Sequence, residues 1–344
     1  MCKPQLIHST HLFFWEIGMQ GFICGALTAG LLFMATAVAQ AEPTVEITEW
    51  KVPYADSLPR DPWVYQDEIW FVGQIGNYVA NLKPSTGEFR RYDLPKGAGP
   101  HTVIANKQGV WYAGNKAAHI GLLNQDSGKI EKIMLPGDGE RDVHTMDFTA
   151  DGNIWFTVQH GNQIGYLDTK TRKITVHDVP TTGARPYGIL VHNDRPWVVL
   201  FGTNKLATIE QGKVKEIVLP REDARPRRLA ITGDGNVWYG DYAQGYLGRY
   251  NPKTGKIDEW KIPSGPDSRP YALAKDDKDR IWFVETGIMP NRFVGFDPAS
   301  QKFTKPVEVP SGGRTVRHMV FDPAEKAMWF GTDTNTIGKA VVEE

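Results

Sequence analysis

Seven short segments of this chain each present one residue able to bind an anion or move a proton. They are Trp63, His101, His144, Tyr187, Arg227, Tyr271 and His318, most of them one residue after a proline. The residue two before each forms a second set: Asp61, Gly99, Asp142, Arg185, Arg225, Arg269 and Val316. Imidazoles and phenols supply acid or base groups, and guanidiniums hold carboxylates or phosphates in a fork of N–H donors. A solvated scaffold loop would vary more widely in type. Packing of a Pro-x-aromatic loop onto the structure beneath accounts for Tyr187 and Tyr271 equally well.

Carboxylates are sparse in the same segments. Asp142 is one, and Asp241 and Glu285 lie three residues past a tryptophan. Against them stand Arg141, Arg185, Arg225, Arg227, Arg228, Arg269, Arg314 and Arg317. Gathered at one place, these arginines make a positive field inside a chain of net charge −1. Surface arginines and ion pairs within the scaffold are the plainer account of each one singly. His119, His160, His177 and His192 fall at turns, on outer strands or at a strand end, without the paired spacing of a helical zinc site.

The elements that bring these segments together are visible as a repeat. An apolar or proline residue followed by Trp recurs at Trp70, Trp111, Trp155, Trp197, Trp238, Trp282 and Trp329, with spacings of 41, 44, 42, 41, 44 and 47. A period in the low forties with four strand-like segments per unit predicts a β-propeller blade. In the third unit HTMDFTA, IWFTVQ, GNQIGYLD and ITVHDVP are the four strands, separated by Gly, Asn and Asp turns. Fourth strands follow only the first six tryptophans, at 88–95, 129–136, 173–180, 213–220, 256–263 and 302–310. After Trp329 the chain has room for a third strand only, whereas VEITEWKVP, residues 45–53, has the fourth-strand pattern and precedes every blade. The fold class is therefore all-β: a seven-bladed propeller whose ring is closed by the N-terminal strand. Closure removes an open sheet edge. Each first strand lines the channel, so the lead-in segments converge on one channel mouth, the usual place for a ligand. The Trp of each repeat serves packing between blades, contributing about 2–3 kcal/mol of burial.

Composition sets the setting. Lys+Arg number 39 and Asp+Glu 40, which argues against nucleic acid as a partner. Residues 22–39 are almost wholly apolar or small and end at Ala39-Gln40-Ala41. This reads as a secretory signal peptide over 1–41 with cleavage after Ala41, the propeller occupying 42–344. A retained membrane anchor is the alternative, and a start at Met19 gives a leader of ordinary length. Both cysteines, Cys2 and Cys24, lie in the leader. The mature chain then has no disulfide, thiol nucleophile or thiolate metal site. A periplasmic or secreted monomer is expected, without stable membrane association after cleavage.

The segments DGNIWFT, HGNQIGYLD, ITVHDVP, RPYGI and RIWFVE resemble the streptogramin lyase (virginiamycin B lyase) family, over all seven blades. The resemblance implies C–O lyase chemistry: opening of a cyclic depsipeptide by elimination, with Mg²⁺ assisting. It also implies a histidine acid/base beside a second histidine and two glutamates at one mouth. Carried over by position, Arg227 stands at the family's fifth-blade histidine, Arg269 and Tyr271 stand where Glu-Pro-His is expected, and Glu285 matches the second glutamate. Arginine stays protonated near neutral pH and makes a poor base. Mg²⁺ takes oxygen ligands and meets Arg269 where a carboxylate is expected.

Two functions follow. One is a lyase-like enzyme with an altered site, using Glu285, Tyr271 and His318 as catalytic groups, with Asp241 restoring a carboxylate pair. The other is a non-catalytic propeller that binds an anionic small molecule or an acidic partner through Arg185, Tyr187, Arg225, Arg227, Arg269, His101, His144 and Asp241. A calcium-dependent lactonase of the gluconolactonase type ranks behind both, since no clear Glu, Asn and Asp ligand set is present.

Overall fold

The computed structural model describes residues 43–55 and 57–343. The expected leader lies outside them. Among the described residues no helix is long and apolar enough to cross a membrane.

Seven antiparallel sheets, each built on four strands in simple order, form the blades. The first strands of neighbouring blades pack side by side around the channel, and the first blade meets the seventh. The ring closes as the repeat arithmetic requires. Strand Thr44–Lys51 lies antiparallel against the last strand, Thr336–Glu343, in unbroken register from Thr44 opposite Glu343 to Lys51 opposite Thr336.

Packing between blades explains the repeat. One apolar cluster fills each gap; Trp70 and Val72 pack with Val103 and Tyr112 of the next blade, and Trp329 closes the last gap with Ile69 and Phe71. Six of the seven repeat tryptophans are buried, Trp155 being the exception. In the second, third, fifth and seventh blades the aromatic residue after the Trp packs over a glycine on the third strand. A methyl on Gly165 would sit 2.1 Å from the Phe156 ring, and one on Gly121 the same distance from Tyr112. The Trp-aromatic and third-strand glycine signals are thus two halves of one contact.

The fourth strand of the sixth blade departs from expectation. Instead of running through 302–310 it splits into Lys302–Phe303 and Val307–Glu308, both paired with Arg292–Asp297. Pro306 between them has no N–H to give to the ladder, and the Thr304 hydroxyl accepts the Gly295 N–H instead, at 2.8 Å.

Candidate functional site

Every first strand carries a register shift at its start. In the second blade Pro100 faces Gly114 and Val103 faces Tyr112, so two residues stand where the partner strand has one. The shift recurs in all seven blades. A bulge of this kind turns successive side chains out of their normal alternation. Each blade therefore gives the channel two adjacent residues, one in an outer layer at the mouth and one in a layer below.

The outer layer is Arg60, His101, His144, Tyr187, Arg227, Tyr271 and Arg317. Five members match the set read from the sequence. Two do not. Trp63 sits three residues deeper than its supposed equivalents, donates its indole N–H to the Ala105 carbonyl at 3.0 Å and packs edge-on against Phe148. His318 belongs one layer down, with Asp61, Thr102, Thr145, Gly188, Arg228 and Ala272.

The outer layer is a continuous stack. His101 and His144 have ring centroids 3.7 Å apart, and His144 and Tyr187 4.0 Å. Tyr187 and Tyr271 share a short hydroxyl–hydroxyl hydrogen bond. The Arg227 guanidinium lies 3.7 Å from the Tyr271 ring centroid, 4.3 Å from Tyr242 and 4.5 Å from Phe201, a cation held against aromatic faces. Arg317 pairs with Asp333 at 2.5 Å. Arg60 and Arg227 have no carboxylate partner among the described residues, and the Nε of each is buried without a hydrogen bond.

Proton affinities follow from this crowding of cations. Burial, with Arg60, Arg228 and Arg317 nearby, pulls His101 down to about 3 although Asp61 lies 3.7 Å away. His144 is lowered well below its ordinary value by burial and by His101 and Arg228. Both imidazoles are neutral near pH 7. For Tyr271, burial raises the phenol, but Arg227, Arg228 and Arg317 outweigh it and the net shift is downward. Its partner Tyr187 moves up, chiefly through burial. The pair thus favours Tyr187 as donor and Tyr271 as acceptor.

The layer below is a polar plug. Arg228, 2% exposed, reaches across the channel to Asp61 at 2.9 Å, to the Thr145 hydroxyl at 3.2 Å and to the Arg317 carbonyl at 3.2 Å. The Thr102 hydroxyl donates at this junction, to Asp61 or to the His144 carbonyl. Burial would raise Asp61, but Arg228 together with His318, His101 and the Thr102 hydroxyl outweighs it, and its carboxyl is held far below the ordinary range.

The expected carboxylates are placed differently. Glu285 is 1% exposed, and its Oε2 accepts Nε and Nη2 of Arg292 at 2.9 and 2.6 Å. Asp241 is fully buried; Oδ2 accepts Arg221, and Oδ1 accepts the backbone N–H groups of Arg225, Ala243 and Gln244. Asp142 binds His160 at 2.7 Å. Each ties down its own loop. Tyr271, His318 and Glu285 are consequently not one constellation: they stand in the outer layer, in the layer below and on a second strand bound to arginine. Arg185 and Arg269 are exposed on the rim with left-handed backbone, and Arg225 is half-buried between its neighbours. This donor set does not suit Mg²⁺. The carboxylates are taken by arginines, guanidiniums line the mouth, and among the described residues no three His, Cys, Asp or Glu side chains gather.

Comparison with known proteins agrees with the fold and with the repeat. A family model described as the virginiamycin B lyase family matches residues 32–209. The chain belongs to that family. A curated relative, virginiamycin B lyase of Nocardia farcinica, is 26% identical over 185 residues, which are 53% of this chain and 63% of that relative. Less than two thirds of the relative's length is therefore matched. Among solved structures, a streptogramin B lyase superimposes with a TM-score of 0.78 at 25% identity, covering 87% of this chain and 98% of the other. Virginiamycin B lyase of Staphylococcus aureus gives 0.77 at 24% identity, covering 87% and 99%. A catalytically inactive histidine-to-alanine variant of that enzyme, with quinupristin, gives 0.78 at 24% over the same shares. At that identity the Staphylococcus likeness speaks for fold alone. In this member of the family the mouth carries arginine and tyrosine on the fifth and sixth blades.

Sequence reading missed Arg60. The signal for it is the proline before each bulge, which Pro59 shares with Pro100, Pro186, Pro226 and Pro270.

Proposed function

We propose that this propeller binds a small carboxylate- or phosphate-bearing molecule at the arginine mouth. The observation that carries the reading is the pair of half-buried arginines, Arg60 and Arg227, each with a buried Nε that makes no hydrogen bond and neither with a carboxylate partner among the described residues. Burial and Arg317 disfavour the charge on Arg60, and Arg227 is offset only by aromatic faces, so neither has a counter-charge; a bidentate anion supplies one. Exposed Arg185 and Arg269 on the rim add attraction from solution. The test is calorimetric titration with citrate, oxalate and inorganic phosphate at low salt. A saturable heat that disappears in Arg60→Ala/Arg227→Ala, with the variant's fold intact by circular dichroism, is expected. No heat with any of the three anions refutes the reading. Export through the leader belongs to the same reading, and N-terminal sequencing of protein recovered from outside the cytoplasm checks it.

One observation favours a second reading, elimination of a C–O bond. Tyr271 is the one outer-layer group whose proton affinity is shifted toward use as a base, by Arg227, Arg228 and Arg317. The same guanidiniums would stabilise negative charge developing next to a carbonyl. Against it, Tyr271 is 1% exposed and lies beneath Arg227, which must swing aside for substrate to reach the phenol. Mass spectrometry of quinupristin after incubation decides: opening that is lost in Tyr271→Phe supports elimination, and an intact ring excludes this substrate.

A further inference from the structure

The arginines stand at one end of the channel. On the far side of the Arg228–Asp61 plug lies a cavity of about 440 Å³. Trp63, which reaches across to Ala105 and Phe148, bounds it on the side of the second and third blades. The fourth to seventh blades line the rest with Leu190, Ala230, Ala274 and Val320. Its volume and its apolar lining with few polar groups are those of a small-molecule pocket.

The charges at this cavity are already balanced within the protein. Arg228 is paired with Asp61, Lys275 with Asp279 at 2.8 Å and Asp276 with Arg280 at 2.6 Å. Asp277 adds an exposed negative charge at the rim. Both cations on the lining, Arg228 and Lys275, thus already have a carboxylate partner. His318 forms part of the inner end, and its Nδ1 is buried without a hydrogen bond. Burial, with Arg228 beside it, holds the ring neutral down to about 4. Nδ1 is closed off, but the ring is partly exposed, and a neutral imidazole edge at the end of an apolar cavity suits one polar group on an otherwise apolar ligand.

We propose that this cavity is a second binding site, separate from the arginine mouth, for an uncharged and largely apolar small molecule that sets one hydrogen-bonding group against His318. The two mouths are then chemically opposite: one takes anions, the other rejects them.

The test uses N-phenyl-1-naphthylamine, an uncharged probe whose fluorescence rises in apolar surroundings. Saturable one-to-one binding to the purified protein is expected. Ala274→Phe, which fills the cavity, weakens it at least tenfold, whereas Arg227→Ala at the other mouth leaves it within twofold. Should Ala274→Phe fail to fold, Leu190→Phe serves the same purpose from another blade, and far-ultraviolet circular dichroism qualifies whichever variant is used. Competition then fixes the ligand class: 1-decanol displaces the probe at a concentration at least tenfold below that of decanoate. Absence of saturable binding, insensitivity to the filling substitution in a folded variant, or a decanol margin below tenfold overturns the proposal. These outcomes are independent of citrate, oxalate and phosphate binding at the arginine mouth.

Discussion

The cation-rich channel makes the fold acid-sensitive, and the size of the effect can be worked from its residues. His101 and His144 are held neutral by burial and by neighbouring positive groups, His101 down to about 3 and His144 well below its ordinary value. In the unfolded chain the same imidazoles take up protons below about 6.5. The unfolded state thus binds more protons, and stability falls as pH drops below 6.5 toward the folded values. From pH 7 to pH 5 that is about 2 kcal/mol for each of the two. His318, lowered to about 4 by burial and Arg228, adds about 1 kcal/mol, discounted because the residue keeps some exposure at the cavity.

One group acts the other way. Asp147 accepts the Val191 and Phe148 N–H groups at 2.6 and 2.9 Å, yet burial raises it to about 7. Its folded value lies above its unfolded one, so the native state takes up a proton as pH falls through 7. That returns about 2 kcal/mol by pH 5. For these four groups the balance is a net loss of about 3 kcal/mol, and His119, lowered by burial, acts in the same direction. Urea denaturation at the two pH values measures it. Asp147→Asn removes the compensating group and deepens the loss to about 5 kcal/mol, while His144→Gln removes one imidazole and reduces it to about 1 kcal/mol. Equal or greater stability at pH 5 in the wild type, or an unchanged loss in Asp147→Asn, refutes the assignment of these groups.

Three further outcomes are expected. Asp61→Asn leaves Arg228 without its counter-charge deep in the channel, and equilibrium unfolding should show a loss of about 3–5 kcal/mol. Gly165→Ala drives a methyl into the Phe156 ring and should cost about 1–3 kcal/mol, seen as a lower Tm, with Phe156→Leu in the same chain restoring part of it. Removal of residues 44–51 exposes the edge of strand Thr336–Glu343; light scattering should show association, and adding the synthetic eight-residue strand should suppress it.

The propeller was legible because its signals are local and repeated. A Trp, usually with an aromatic after it, and turn residues recur at nearly constant spacing, and the missing fourth strand locates the closure without any tertiary information. The mouth was legible only to within two residues, and the reason is physical. A bulge breaks the period-two rule at the point where side chains enter the channel, so chemical type cannot assign position there. In the first blade Asp61-Pro62-Trp63 mimics the Arg-Pro-Tyr pattern of the sixth, but the proline that precedes the bulge is Pro59, and the mouth residue is Arg60. In the seventh blade Val316 replaces that proline, and the more reactive His318 draws attention from Arg317 beside it. Correcting both places adds two guanidiniums to the mouth and removes an indole and an imidazole. That exchange turns a mixed acid–base ring into a cationic one. It also moves His318 to the inner end of the apolar cavity, where the partly exposed edge of a neutral ring suits recognition rather than proton transfer.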